Sequence, residues 1–362
     1  MEQATRRATI ADVAKAAGVS KAAVSFAFNT PDRLNSDTVA RIRKVATGLD
    51  YRPDPVARML AQRRTQTIGI LTPQALDVIF TNPYFGEFSS GVATAAEAAG
   101  MALQFISPLH GSLARAVDRA TVDGIIAVGL GRDHPEIAHI RRSSIPFVLV
   151  DSTALPNEPA VLVDDEGGAA AAATHLLELG HRRFVVIGIE APSAGLSADP
   201  TADPDWVTSR RLRGYRAAAS AAGIDIPDDA VVVGPASMDG GTTALHRAWA
   251  AGQRPTAVLA MSDAMAIGAL RTARELGLRV PEDLSIVGFD DLDIANYTDP
   301  PLTTVHQPNR QKGEESVRLV LDRAHRRDME PEAPHYFATH LVVRGSTAFV
   351  PPSRQEVIDD RT

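Results

Sequence analysis

The apolar period of this 362-residue chain changes near residue 66. Before that point apolar residues recur at helical spacing. After it, short β-rich runs alternate with helical stretches: TIGILT, GEFSSGVATAAEAAG, MALQFIS, GIIAVG, FVLVD, then GGAAAAATHLLELGHRRFVVIG. A chain that switches period folds as at least two units of different architecture. Strands alternating with helices imply parallel α/β sheets. About twelve such runs exceed one sheet of ordinary size. Two doubly wound subdomains are therefore expected, with a ligand in the cleft at the carboxyl ends of their strands.

The first 65 residues carry three short stripes. Ile10, Val13, Ala14 and Ala17 fall at i, i+3, i+4 and i+7, with Thr9 suited to the N-cap and Gly18 to a left-handed C-terminal stop. Ser20 can cap a second helix, KAAVSFAFN, with Val24, Ala27 and Phe28 on one face. Val39, Ile42, Ala46 and Leu49 mark a third, which Ser36 or Asp37 can cap. Two short helices joined by a Gly-containing turn make a helix-turn-helix, whose second helix enters the DNA major groove with its N-terminal residues at base edges. Those residues are Lys21 and Ala22, with Ser25 and Phe26 one turn on. Ser20, Ser25, Asn29 and Thr38 are short polar side chains suited to phosphate oxygens. Beyond them, Asp54-Pro55 opens a run from Val56 to Gln62 of about two turns, too short to be helical alone in water. Folded against DNA, it would offer Leu60 as an apolar wedge in the minor groove.

Charge follows the same division. Residues 1–65 hold 12 basic and 6 acidic residues, a net of +6; the rest holds 25 basic and 38 acidic, a net of −13. A basic head on an acidic body suggests that the head alone meets a polyanion.

ATIADVAKAAGVSKAAVSFAFN followed by DYRPDPVARMLAQRRTQTIGIL resembles the LacI/GalR family of bacterial transcription regulators, and the likeness runs from residue 9 to about 345. The resemblance implies a three-helix DNA-binding domain (1–52), a hinge helix and linker (53–65), a periplasmic-binding-protein-like effector and dimerisation domain (66–347) and a tail (348–362). It divides the body into 66–163 with 292–323, and 164–291 with 324–347. It adds Thr9, Tyr51 and Ala57 to the DNA-facing residues. It places Tyr84 and Phe85 at the effector cleft and Arg211 as the effector's grip, with Ser262 and Asp290 against ligand hydroxyls or polar edges. Asp151 and Asp164 join them as strand-end carboxylates, although Asp and Ser are also common caps and turn formers. Phe26 and Ala22 replace polar base readers common in the family. Phe cannot form the bidentate bonds to guanine that Arg makes, so Lys21 becomes the main polar reader. An aromatic that lines the cleft in several relatives is missing near Ala236; Trp206 or Phe80 could replace it, though packing suits either.

The implied function is a homodimeric repressor on pseudo-palindromic operator DNA, controlled by a small effector, by default a sugar. A purine- or nucleoside-responsive regulator, or a solute or sugar receptor without a DNA role, are the alternatives. No G-x-S-x-G, H-E-x-x-H or phosphate-loop motif is present, His110, His134, His139, His175 and His181 lack metal-ligand spacing, and the chain has no cysteine. The reading is therefore a binder with no cofactor or metal. No signal peptide or run of ~20 apolar residues is seen, which fits the cytoplasm. EAPSAGLSADPTADPDW (190–206) reads as a loop.

Overall fold

The computed structural model describes residues 8–54, 57, 59, 64–131, 134–190, 203–325 and 333–350. The chain divides into two compact units, Met1–Thr65 and Gln66–Thr362.

The first unit is built from α1 (Ile10–Ala17), α2 (Lys21–Asn29) and α3 (Ser36–Gly48). Thr9 caps α1 reciprocally with Asp12, and Gly18 ends it at φ +66°. Ser20 caps α2 by accepting from the Ala23 amide at 3.1 Å. The cap of α3 is Asn35, not Ser36 or Asp37: its Oδ1 accepts from the Asp37 amide at 2.9 Å, and Ser36 is already helical. Val13, Ala14, Ala17, Val24, Ala27, Ile42 and Ala46 form the core. Leu49, expected in that stripe, is 40% exposed because α3 ends one residue before it, and Tyr51 packs instead. Leu60 and most of Val56–Gln62 lie outside the described residues; Ala57 and Met59 are helical.

The second unit runs β1 (Thr67–Leu71), α4 (Leu76–Thr81), α5 (Pro83–Ala98), β2 (Ala102–Ile106), α6 (Leu113–Arg119), β3 (Gly124–Val128), α7 (Pro135–Ser143), β4 (Phe147–Val150) and β5 (Ala160–Val163). It continues through α8 (Asp165–Glu178), β6 (Phe184–Ile189), α9 (Val207–Ala221), β7 (Val231–Gly234), α10 (Met238–Ala250), β8 (Ala257–Ala260), α11 (Asp263–Glu275) and β9 (Ser285–Asp290). It closes with β10 (Thr303–His306), α12 (Asn309–His325), β11 (His335–Phe337) and β12 (His340–Val342).

Two six-stranded sheets result, ordered β11-β5-β4-β3-β1-β2 and β12-β10-β9-β8-β6-β7. Every pair is parallel except β10 with β12. Helices cover both faces, so inner strands such as β3, β4, β5 and β8 are buried at every residue and read as unbroken apolar runs. Each sheet reverses its winding beside its first strand, and such a switch point opens a crevice at the carboxyl ends.

The subdomain boundaries differ from the expected ones. The strand within 292–323, β10, pairs with β9 and stays in the second sheet; only α12 returns, packing along α5 of the first subdomain. YFATHLVVRGST does not lie wholly in the second: β11 adds to the first sheet and β12 to the second. Gln307-Pro308 and Ala338-Thr339 thus mark two of the three places where the chain changes sheet. Nor is all of 348–362 a tail: Val350 is buried, and its amide donates to the Leu179 carbonyl at 3.0 Å.

Candidate functional site

At the carboxyl ends of the second sheet, buried charges gather around Arg211 on α9. Its Nε donates to Asp165 Oδ1 at 2.8 Å, and its Nη1 to the Met261 carbonyl. The guanidinium lies 3.5 Å from the centroid of Phe289. Arg210 binds the other oxygen of Asp165 through Nε (2.9 Å) and Nη2 (2.8 Å). Burial pushes the Asp165 carboxyl up, but Arg211 and Arg210 more than reverse that and leave it below the ordinary value. Burial works against the charge on Arg211 in turn, and Asp165 and Asp290 restore it.

Asp290, the last residue of β9, is buried, with Oδ1 2.5 Å from Gln307 Nε2. Asp263, at the start of α11, accepts from Thr304 Oγ1 (2.5 Å) and the Leu292 amide (2.8 Å). Burial raises both carboxyls well above the usual range, and at Asp290 the charge of Asp263 adds to it. Asp291 turns away to His306 and Arg344. Ser262 is buried and caps α11 by accepting from the Met265 amide at 3.2 Å.

The facing wall is built on the first sheet. Asp151, just past β4, accepts at Oδ2 from Lys312 Nζ (2.7 Å) and from the Tyr84 hydroxyl. Tyr84 stands in the first turn of α5, its ring parallel to Phe88. Burial, then the Asp151 charge, pushes its hydroxyl pKa well up. Phe85, expected at the cleft, is core, because the helix turns it toward Val92 and the sheet. Links span the two subdomains: Asn82 Nδ2 to the Ala236 carbonyl (3.1 Å), the Asp293 amide to Glu87 (2.9 Å), and Thr153 Oγ1 to Asp203 (2.6 Å).

The structure therefore brings together Tyr84, Asp151 and Lys312 on one wall, and Arg211, Ser262 and Asp290 on the other. It does not bring Asp164: that carboxylate is exposed and caps α8, accepting from the Gly167 amide at 2.9 Å. Its neighbour Asp165 is the buried partner of Arg211. The signal lay in the stripe Asp165, Ala169, Ala172, Leu176, spaced 4, 3 and 4, which begins at the second aspartate. Lys312 shares the buried face of α12, four residues before Ser316 and eight before Val320, but its charge masks that phase in the sequence. Of the two aromatics expected to replace a missing stacking surface, Phe80 is 67% exposed against Phe105. Trp206 is buried, its Nε1 without a partner among the described residues and its ring 3.9 Å from where a Gly129 Cβ would stand.

In the head, Lys21 and Ala22 are exposed at the start of α2. Ser25 and Phe26 follow half-buried, Asn29 Nδ2 donates to Ser25 Oγ (3.2 Å), and Arg33 lies over Phe26. Thr38 is half-buried on α3. A cavity of about 490 Å³ is lined by Thr9, Ser25, Asn29, Tyr51, Arg52 and Ala57. Thr9, Ser25, Asn29, Tyr51 and Ala57 are among the residues expected to face DNA. Thr9 caps α1 as expected, and Ser20, expected at a phosphate, also caps α2.

Residues 9–54 match the profile of bacterial regulatory proteins of the lacI family, and residues 173–347 that of the periplasmic binding protein-like domain. The HTH-type transcriptional regulator CelR of Thermobifida fusca is 32% identical over 351 residues, 94% of this chain and 98% of the relative. A solved CelR–cellobiose complex superposes with a TM-score of 0.68 at 30% identity, over 94% of this chain and all of that one. The Lac repressor dimer bound to operator and the anti-inducer ONPF gives a TM-score of 0.78 at 26% identity, over 95% and 100%.

Proposed function

The chain belongs to the LacI family of bacterial regulatory proteins, and from that premise we propose that it is a homodimeric, cytoplasmic repressor whose grip on operator DNA is set by a small polar effector. The observation that carries this is the pairing of two features in one chain. One is a helix-turn-helix that exposes Lys21 and Ala22 at the start of its second helix. The other is two sets of polar groups at strand ends of two sheets. Neither a solute receptor nor a plain DNA-binding module needs both.

In the head, Lys21 reads base edges, Ala22 and Phe26 make apolar contacts such as those to thymine methyls, and Ser20, Ser25, Asn29 and Thr38 hold phosphates. Thr9, Tyr51 and Ala57 complete that face. In the body, Arg211 offers forked donors and Asp290 and Asp151 offer acceptors, with Ser262 and Tyr84 supplying hydroxyls. This set suits a neutral, hydroxyl-rich ligand such as a sugar. The relative solved with cellobiose supports that class. The effector acts by binding one arrangement of the subdomains more tightly than the other, the only way a ligand shifts such an equilibrium.

A thermal-shift screen of the full chain against mono- and disaccharides and nucleosides tests the reading. A sugar that raises Tm in the wild type and not in Arg211→Met supports it. A nucleoside as the sole hit replaces the sugar. A shift unchanged in Arg211→Met removes Arg211 from the site.

A further inference from the structure

Lys312 is buried without any exposed surface, on the helix that returns from the second subdomain to the first. It reaches that depth because α5 and α12 meet backbone to backbone: a Cβ at Gly91 would stand 2.0 Å from the Arg310 carbonyl oxygen, and one at Gly313 2.4 Å from that of Phe88. The ammonium has three donors, and all three are used: Asp151 Oδ2 at 2.7 Å, Gln307 Oε1 at 2.7 Å and the Tyr84 hydroxyl at 3.2 Å. An ammonium accepts nothing, so Gln307 must turn its carbonyl to Lys312. Its amide nitrogen is thereby left for Asp290 Oδ1, at 2.5 Å. Oxygen and nitrogen share one rigid plane, so Gln307 cannot follow a movement of Asp290 and keep its bond to Lys312.

We propose that Lys312 is the positioning residue of the cleft: one buried ammonium fixes Asp151 on the first wall and, through the carboxamide of Gln307, Asp290 on the second, so that an effector's pull on either wall is felt at the other. The inference rests on the reading of this cleft as an effector site, and it adds the physical connection between the walls. Asp151 and Asp290 share no hydrogen bond with each other among the described residues. Any coupling between them through this route passes Lys312 and Gln307, at the point where the chain changes subdomain.

A double-mutant cycle needs no ligand. Urea unfolding of the full chain, followed by tryptophan fluorescence, is measured for Asp151→Ala, Asp290→Ala and the pair, first with Lys312 and then in Lys312→Met. Either single change breaks the same chain of bonds, so with Lys312 present the pair lowers the midpoint by less than the two singles together. In Lys312→Met the two effects add. Backbone strain at either alanine enters singles and pair alike and cancels. Additive effects with Lys312 present overturn the proposal, as does non-additivity that survives Lys312→Met. If Lys312→Met does not fold, Gln307→Leu cuts the route at its other end and is read by the same criteria. A failed ligand screen would leave this cycle intact, and a failed cycle would leave the effector reading intact.

Discussion

Removing Arg211 and removing its anion should cost different amounts, and the structure says which costs more. In Asp165→Asn, Arg211 stays buried and loses the carboxylate that holds its Nε, while Arg210 loses two further bonds. Stranding a buried charge in this way costs about 3–5 kcal/mol. In Arg211→Met, Asp165 keeps both bonds from Arg210, which is itself partly exposed. What is lost is the charge-assisted bond to Asp165, about 1.5–3 kcal/mol, the Nη1 bond to the Met261 carbonyl and the stacking on Phe289. A methionine sulfur on that ring returns about 0.3–1.5 kcal/mol. We expect about 2.5 kcal/mol in total for Arg211→Met, still below the cost of stranding the charge. With an m-value of about 3 kcal/mol/M in urea, Asp165→Asn lowers the midpoint by roughly 1–1.7 M and Arg211→Met by about 0.8 M. Tryptophan fluorescence reports this locally, since Trp206 caps α9, the helix that carries Arg211. An Arg211→Met loss equal to or larger than that of Asp165→Asn would refute the reasoning, because Arg210 would then not be holding Asp165.

Stability should also depend on pH. Asp263 and Asp290 have folded pKa values raised above their unfolded value of about 3.8. Above pH 4 the native state binds the extra protons, so their contribution is present in acid and lost as pH rises through neutrality. His181 is pushed down to about 4 by burial, so it penalises the fold as pH falls from 6.5 toward 4. Urea midpoints should therefore fall as pH rises from 6.5 to about 8, where the carboxyls act without His181, and level off above that; Asp290→Asn should make the fall shallower. Ser20→Ala removes the cap of α2 and should cost the head about 1 kcal/mol, read from the melting of residues 1–65 within the full chain by hydrogen exchange. Lys21→Ala should relax base preference in binding assays while leaving the salt slope unchanged; a slope shallower by about 1 with uniform loss on all DNA would make Lys21 a phosphate contact.

The architecture was legible because both units declare their period. The α1 stripe and Ser20 could be placed from spacing and cap chemistry alone, and unbroken apolar runs such as Phe147–Val150 could only be strands covered on both faces. Membership of the last elements was not legible, because β10, β11 and β12 are three or four residues each and their sheet is decided by packing. In the site, Asp151 and Asp290 could be singled out because each ends an apolar run, but Asp164 does the same and is a helix cap, so the signal was not specific. Asp164 and Asp165 are adjacent and chemically identical, and only helix phase separates the cap from the buried ion pair. Lys312 and Gln307 were hidden because they lie in a segment that looks amphipathic and solvated, and their partners are some 160 and 17 residues away along the chain.

Selection of duplex DNA from a random pool by the full chain tests the central claim most directly. The proposed homodimer, with a basic head of +6 and an acidic body of −13 in each chain, should enrich a pseudo-palindrome with two equivalent half-sites, with affinity falling steeply with salt. Residues 66–362 alone should enrich nothing. Recovery of the same sequences by the body alone, or no enrichment by the full chain, would contradict the assignment of DNA reading to the helix-turn-helix.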